Sequence, residues 1–136
     1  MGRDHRRVRY LLDTHVLLWL AGDTTKVPER LRESLTNAEE RVVSSASAME
    51  IATKTRLGKL PQGAAVLNSW PILMRSFMAT ELPLTVPHMV QAGSMEWEHR
   101  DPFDRMLVAQ AQLEGLHLVT SDSRILAHDV PTAPWQ

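Results

Sequence analysis

Four acidic side chains stand where secondary-structure elements are predicted to begin or end. They are Asp13, Glu50, Asp104 and Asp122. Asp13 and Asp122 directly follow predicted strands, Glu50 lies in the first turn predicted after a strand, and Asp104 lies in the first turn of a long predicted helix. Ligands of open parallel sheets bind in the crevice outside the carboxyl ends of the strands. The sequence therefore predicts that these carboxylates meet in one crevice.

Carboxylates gathered in a half-buried crevice favour a particular chemistry. Like charges raise each other's pKa, and a bound divalent cation removes that penalty. Oxygen ligands favour hard cations such as Mg²⁺ or Mn²⁺, and the six histidines lack the spacing of a zinc site. Such a metal orients a water, lowers its pKa and neutralises charge that builds on a phosphate. The residues indicate metal-assisted phosphoryl transfer.

Helix capping is the competing interpretation of the same acids. Acids at helix starts satisfy free amide donors and complement the helix dipole. Ser47 and Glu50 have the spacing of a capping box, and Asp101 followed by Pro102 is typical of a helix start. Taken singly, each acid fits a structural role as well as a functional one.

Two observations favour the functional interpretation. Asp104 lies at helical offsets from Leu107, Val108 and Ala111, so its side chain is predicted to face the interior, where a cap has no reason to point. The sequence also lacks a glycine-rich phosphate loop near residues 12–14, which argues against a nucleotide cofactor in the crevice.

The elements that must position these acids alternate between strand and helix. Strands are predicted over residues 8–12, 41–44, 82–86 and 117–120. Helices are predicted over residues 14–20, 28–36, 47–57, 87–95 and 102–114, while 63–79, interrupted by Pro71, fits two short helices or one kinked helix. Segment 130–134 carries two prolines and is either an edge strand or a tail. Since parallel neighbours need a crossover, the fold class is α/β: three layers, α/β/α, around a mostly parallel sheet.

Composition narrows the function further. The chain has 136 residues with 43% hydrophobic and 23% charged side chains, which predicts one globular domain over residues 1–136. Cysteine is absent, which excludes disulfides, thiolate metal sites and a cysteine nucleophile. No apolar run is long enough to span a bilayer and no secretion signal is evident, so we expect a cytoplasmic protein without a membrane partner.

The charge balance bears on nucleic-acid binding. The formal net charge is −1, so general phosphate neutralisation cannot supply the affinity for a nucleic acid, and local contacts or bound cations must do so. Arg3, Arg6, Arg7 and Arg9 form a basic N-terminal arm, and we expect residues 1–7 to be flexible and solvated.

Four segments in this order resemble the PIN-domain family, and VapC-type toxins in particular. They are Tyr10-Leu-Leu-Asp-Thr-His-Val-Leu-Leu-Trp19, Met49-Glu-Ile51 with Arg56-Leu-Gly-Lys-Leu60, His99-Arg-Asp-Pro-Phe-Asp-Arg105, and Leu118-Val-Thr-Ser-Asp122. The Asp-Thr-His and Asp-Pro-Phe-Asp-Arg matches are the specific ones. The resemblance implies a PIN-like fold and an Mg²⁺- or Mn²⁺-dependent ribonuclease that cuts RNA by water attack.

The same resemblance assigns roles to residues and implies partners. It implies that Asp13, Glu50 and Asp104 hold the metal and that Asp122 is a fourth acid, while Asp101 organises its turn. Three supporting positions follow, namely Asp101, Thr14 and Ser121; the two hydroxyls contact the metal's water or an RNA phosphate, or only cap helices. The implied partners are an RNA substrate, a second copy of the chain, and a VapB-like antitoxin whose C-terminal segment packs along the toxin.

Three other functions are compatible with an aspartate after the first strand or with a PIN-like fold. A haloacid-dehalogenase-like phosphatase needs a second aspartate two residues after the first, where His15 stands. A signalling receiver domain needs a lysine late in the chain, but the last lysine is Lys59. A non-catalytic PIN-like module that binds RNA or protein remains the open alternative, although four intact acids argue against it.

Overall fold

The central feature of the computed structural model, which describes residues 8–136, is a four-stranded sheet flanked by helices. The strands are β1 (Arg9–Leu12), β2 (Glu40–Ser44), β3 (Ala79–Leu82) and β4 (His117–Val119). The helices are α1 (Thr14–Ala21), α2 (Glu29–Thr36), α3 (Ser45–Arg56), α4 (Gly63–Asn68), α5 (Trp70–Ser76), α6 (Val86–Ser94), α7 (Pro102–Glu114) and α8 (Ser123–Leu126), with a 3₁₀ turn at Thr24–Lys26. The arm predicted at residues 1–7 lies outside the described residues.

The sheet is parallel throughout, with the strand order β3-β2-β1-β4. β1 therefore lies in the interior of the sheet, paired with β2 on one side and β4 on the other. Beyond β4, Leu118 forms an isolated parallel bridge with Thr132, and the Leu118 amide donates to the Pro131 carbonyl at 2.8 Å. The proline-rich end of the chain thus lies along the edge of the sheet, which is the first of the two predicted alternatives.

Helices cover both faces of the sheet. Tyr10 and Leu12 point to one face and belong to a core formed with α1, α2, α4 and α5, to which Ile51 of α3 also contributes. Leu11, between them, points to the other face and belongs to a core formed with α3, α6, α7 and α8. The alternation follows from the two-residue period of a strand. The predicted three-layer α/β/α architecture is confirmed.

Local signals explain the helix that carries Asp104. The Asp101 carboxylate caps α7 by accepting the amide of Phe103 at 2.9 Å, and Pro102 occupies the first turn. Gly115 ends the helix in the left-handed conformation at φ 68°, which glycine adopts without a steric penalty. These caps fix both ends of α7 where the sequence predicted them.

Two predicted boundaries are wrong. The third strand is Ala79–Leu82 and not residues 82–86, because Pro83 cannot donate to a ladder and Thr85 caps α6. α3 begins at Ser45, since Ser44 accepts the amide of Ala46 at 3.0 Å. The predicted capping box at 47–50 is therefore absent.

Within residues 8–136, no helix combines the length and the apolar character that crossing a membrane requires.

Candidate metal centre

Asp13 lies at the junction of β1 and α1, at the carboxyl edge of the sheet. Its Oδ1 accepts the amide of His15 at 3.4 Å, so the residue does cap α1. Its Oδ2 accepts a hydrogen bond of 2.7 Å from the Thr120 hydroxyl, directly after β4. Burial raises the pKa of Asp13, the Thr120 bond opposes that rise, and the charge of Glu50 adds to it. Asp13 therefore caps α1 and is also a buried carboxylate that the charge of Glu50 affects.

Glu50 reaches the same region from α3, where only 3% of the residue is exposed. It is the sixth residue of α3 and lies in the second turn, so the prediction of a first-turn position is wrong. Its Oε2 accepts a 2.7 Å bond from Lys54 Nζ. Its Oε1 is buried without a hydrogen-bond partner among the described residues. An unsatisfied buried carboxylate oxygen is costly, so this oxygen is available to bind a cation.

Asp104 faces inward on α7, with 8% of its surface exposed. The predicted apolar stripe is buried beside it; Leu107, Val108 and Ala111 are all 0% exposed. Asp104 Oδ2 and His99 Nε2 form a buried hydrogen bond of 2.6 Å. Burial raises the pKa of Asp104 to about 6; the His99 bond opposes this, and the charges of Asp101 and Asp13 add to it.

His99, Asp101 and Asp104 form the tightest group of potential ligands in the described part of the chain. One ligand atom from each lies within 4.8 Å of the others. Asp101 also caps α7, so its role in the turn, as predicted, coexists with its place in this group. Asp13 and Glu50 lie outside the group but act on it through charge, because Asp13 raises the pKa of Asp104 and Glu50 raises that of Asp13.

The loop that carries His99 is held by one side chain, that of Arg105. The guanidinium donates to the backbone carbonyls of Ala92 at 2.7 Å and of Trp97 and His99 at 2.9 Å, and it also contacts the carbonyl of Met95. Arg105 forms no ion pair among the described residues. Its planar fork is thus used to fix the loop, and not to neutralise the acids.

Asp122 is arranged differently from the other three predicted acids. It caps α8, and its carboxylate faces Arg124, with Oδ1 accepting the Arg124 amide at 2.8 Å and Oδ2 lying 3.2 Å from the guanidinium. Burial acts to raise its pKa, but the bonds and charge of Arg124 outweigh burial, and the pKa is lowered. The amide of Asp122 donates to the Thr120 hydroxyl at 3.0 Å. Asp122 is therefore next to the cluster while its carboxylate is engaged elsewhere.

The two predicted supporting hydroxyls have different surroundings. Thr14 is 2% exposed and shares a 2.8 Å hydrogen bond with the hydroxyl of Ser47, which joins the starts of α1 and α3. Ser121 is exposed between β4 and α8. Contact of either residue with a metal's water or with phosphate stays a prediction.

Three residues of the site were not among the predicted ones. Thr120 is the first residue after β4, a position that could have drawn attention at a sheet edge. Lys54 is four residues after Glu50 on the same helix, which is the spacing of an ion pair. His99 has no local spacing signal toward Asp104, because a loop places it there.

The donor set fits a hard divalent cation. The predicted ligands Asp13, Glu50 and Asp104 carry carboxylate oxygens, which are the ligands that Mg²⁺ and Mn²⁺ prefer. The unpartnered Oε1 of Glu50 provides a free ligand atom. Without a cation, the burial of these carboxylates is only partly offset, by the ion pair of Lys54 with Glu50 and by the hydrogen bond of His99 with Asp104.

Comparisons with known proteins bear on the family and on the fold. The family model described as PIN domain matches residues 10–130. The chain is 26% identical over 121 residues to Ribonuclease VapC22 of Mycobacterium tuberculosis (strain ATCC 25618 / H37Rv), covering 89% of this chain and 92% of the relative.

Solved structures share the fold at low sequence identity. VapBC2 from Rickettsia felis, bound to a DNA fragment from its promoter, matches with a TM-score of 0.69 at 14% identity, covering 95% of this chain and 100% of that chain. DNA-bound VapBC from Salmonella typhimurium matches with a TM-score of 0.66 at 20% identity, covering 95% and 99%. A toxin–antitoxin complex from Klebsiella pneumoniae matches with a TM-score of 0.60 at 15% identity, covering 93% and 98%.

Proposed function

Because the chain belongs to the PIN domain family, whose model matches residues 10–130, we propose that it is a metal-dependent endoribonuclease and the toxin of a toxin–antitoxin pair. The observation that carries the proposal is the buried, unpartnered Glu50 Oε1 in a cluster where Asp13 and Asp104 carry raised pKa values. Acids that served only as caps of exposed helix ends would have no need to be buried, which argues against the helix-capping interpretation. The name of the VapC22 relative supports the ribonuclease activity.

In this proposal Asp13, Glu50 and Asp104 hold Mg²⁺ or Mn²⁺. When bound, the cation orients the attacking water and stabilises the negative charge that develops on the phosphate. Asp122 is proposed as a fourth acid of the metal site, and its carboxylate must leave Arg124 before it can bind the metal. Asp101 caps α7 and borders the site.

The chain's own residues orient these carboxylates. The Thr120 hydroxyl fixes Oδ2 of Asp13 and leaves Oδ1 facing the α1 amide, while His99 fixes Oδ2 of Asp104. Such outer contacts hold ligands in a productive geometry. In the reaction a water oxygen bonds to phosphorus, and the bond from phosphorus to the leaving ribose oxygen breaks, with a proton ending on that oxygen.

The proposal extends to partners. The structural neighbours named as VapBC or toxin–antitoxin complexes support a VapB-like antitoxin as partner. α6 exposes three apolar side chains, Val86, Met89 and Val90, which a second copy in a homodimer would cover. We propose that the protein acts on RNA in the cytoplasm.

Cleavage of total RNA by the purified protein tests the function. Reactions contain Mg²⁺, Mn²⁺ or EDTA, and the variants Asp13→Asn and Asp104→Asn are first shown to be folded by circular dichroism. We expect metal-dependent cleavage that both variants lose and that Asp129→Asn, a change at an exposed acid, retains. If wild type freed of any bound partner and supplied with metal cuts no RNA that these variants leave intact, the non-catalytic binding module replaces the nuclease.

A further inference from the structure

Lys54 forms an ion pair with the buried carboxylate of Glu50, and the proposed metal site does not use it. Its Nζ lies 2.7 Å from Glu50 Oε2, four residues earlier on α3. The pair is asymmetric, since the Lys54 side chain is 34% exposed whereas that of Glu50 is 3% exposed. One end of the ion pair is therefore inside the acidic cluster and the other borders solvent.

The charge of Lys54 acts on more than its ion-pair partner. Burial lowers the pKa of Lys54, but the bond and charge of Glu50, with the charges of Asp101 and Asp104, raise it above its ordinary value. The ammonium is thus close to acids on α3 and at the start of α7. Of its three N–H donors, one has an acceptor among the described residues.

We propose that Lys54 is an exchangeable counter-cation: it neutralises Glu50 while the metal is absent, and it contacts the RNA phosphate once the metal has taken Glu50 over. The second half rests on the proposed function, whereas the first half concerns metal binding alone. Both halves follow from one geometry, in which an ammonium with free donors lies between a buried carboxylate and solvent.

An ordinary helical ion pair has different consequences. Two exposed partners separated by four residues stabilise a helix slightly, and losing one leaves the other hydrated. Here the loss of Lys54 leaves a buried carboxylate without its counter-charge, which is strongly unfavourable until another cation arrives. Lys54 and a divalent metal therefore compete for Glu50.

Isothermal titration calorimetry, with Mn²⁺ added to metal-free protein without RNA, tests whether Lys54 and the metal compete for Glu50. Lys54→Met should bind Mn²⁺ more tightly than wild type, by about 5-fold or more, the usual lower bound for coupled sites. Lys54→Arg keeps the charge and should stay close to wild type. The matched control is Lys59→Met, because Lys59 is exposed and forms no ion pair among residues 8–136. Mn²⁺ affinity that is unchanged or weaker in Lys54→Met overturns the counter-cation role.

Thermal unfolding gives a readout independent of activity. Without metal, the Tm of Lys54→Met should lie below that of wild type, since Glu50 is left unpaired. Saturating Mn²⁺ should raise the Tm of Lys54→Met more than it raises that of wild type, because a tighter ligand stabilises more. If Lys54 were purely structural, Lys54→Met would lower the Tm by the same amount with and without Mn²⁺, and that result would count against the proposal.

Cleavage kinetics test the phosphate contact. At saturating Mn²⁺, Lys54→Met should raise KM more than it lowers kcat, and Lys54→Arg should restore KM, because either cation binds phosphate. An unchanged KM with tighter Mn²⁺ binding would overturn the phosphate contact alone. If wild type itself cuts no RNA, the proposed function and the phosphate contact fail together, while the Mn²⁺ titration still decides the counter-cation role.

Discussion

Thr120 and Asp13 are joined by a buried hydrogen bond of 2.7 Å, although 107 positions separate them in the chain. The bond connects the carboxyl ends of the neighbouring strands β4 and β1. The same hydroxyl oxygen accepts the amide of Asp122 at 3.0 Å, so Thr120 also ties down the start of α8. One side chain thus sets the position of a proposed metal ligand and of the fourth predicted acid.

Thr120→Val should weaken both stability and metal binding. Valine keeps the shape but leaves Asp13 Oδ2 and the Asp122 amide without partners, which lowers the free energy of unfolding by about 1–3 kcal/mol. Loss of an outer contact to a metal ligand lowers metal affinity by roughly 10- to 100-fold. Urea denaturation and Mn²⁺ titration measure the two effects.

Thr36→Val is the control for this substitution, because Thr36 is exposed and its hydroxyl only contacts the Arg32 carbonyl of its own helix. Its stability should stay within about 0.5 kcal/mol of wild type. Wild-type Mn²⁺ affinity in Thr120→Val would show that the hydrogen bond does not orient Asp13.

Arg105→Lys should loosen the loop that carries His99. Lysine has a single ammonium in place of a planar fork, so it cannot replace the bonds to the carbonyls of Ala92, Trp97 and His99. We expect a loss of about 1–3 kcal/mol in unfolding free energy, since three partly buried carbonyls lose their donor. NMR signals of the His99 ring should shift or broaden, whereas Arg100→Lys, at an exposed neighbour, should leave them in place. Unchanged His99 signals in Arg105→Lys would show that Arg105 does not hold the loop that carries His99.

The sequence predicted best what local geometry determines. The bounds of α7 and the inward direction of Asp104 depend on a cap, a proline, a glycine and a helical apolar stripe, all within one segment. β1 and α1 were likewise predicted because an apolar stretch ends at a capping aspartate, Asp13. Four acids predicted at element boundaries then indicated one edge of the sheet, although Glu50 lies in the second turn of α3.

Contacts between residues far apart in the chain could not be predicted from the sequence. The Thr120 bond to Asp13 exists because β4 pairs with β1, a pairing that no local pattern specifies. The outcome at Asp122 is local by contrast: its carboxylate pairs with Arg124, two residues later, and no sequence pattern shows that this pair forms in preference to a turn toward the other acids. β3 was misplaced because its exposed Thr80 and Glu81 give no buried alternation.

Gly63→Ala should destabilise the contact between α3 and α4. A Cβ at Gly63 would lie 1.8 Å from the Thr55 hydroxyl oxygen, which is itself held by a 2.7 Å bond to the Ile51 carbonyl. Relieving the overlap forces side chains or the helix to move and costs about 1–3 kcal/mol. The matched change Gly93→Ala meets nothing within 4 Å on α6, so it should stabilise by about 0.4–1 kcal/mol through the unfolded state. Equal melting temperatures for the two variants would contradict the close approach at Gly63.

The stability of the metal-free protein should fall as pH rises through the range in which Asp104 ionises. Burial, with the charges of Asp101 and Asp13, raises the pKa of Asp104 from 3.8 to about 6 against the opposing His99 bond. The folded state therefore holds this proton more tightly than the unfolded state, and the resulting stabilisation, complete below pH 3.8, is lost by about pH 6. Each unit of pKa difference corresponds to about 1.4 kcal/mol.

Urea denaturation in EDTA at a series of pH values between 3.8 and 6 measures this loss. Asp104→Asn cannot ionise, so the stability of wild type should decline relative to that variant as pH rises, while Asp129→Asn should run parallel to wild type because Asp129 is exposed. Saturating Mn²⁺ should reduce the decline, since the cation takes over the neutralising role of the proton. Parallel curves for wild type and Asp104→Asn in EDTA would mean that Asp104 titrates near its ordinary pKa, and burial would then impose no need for a cation at this carboxylate.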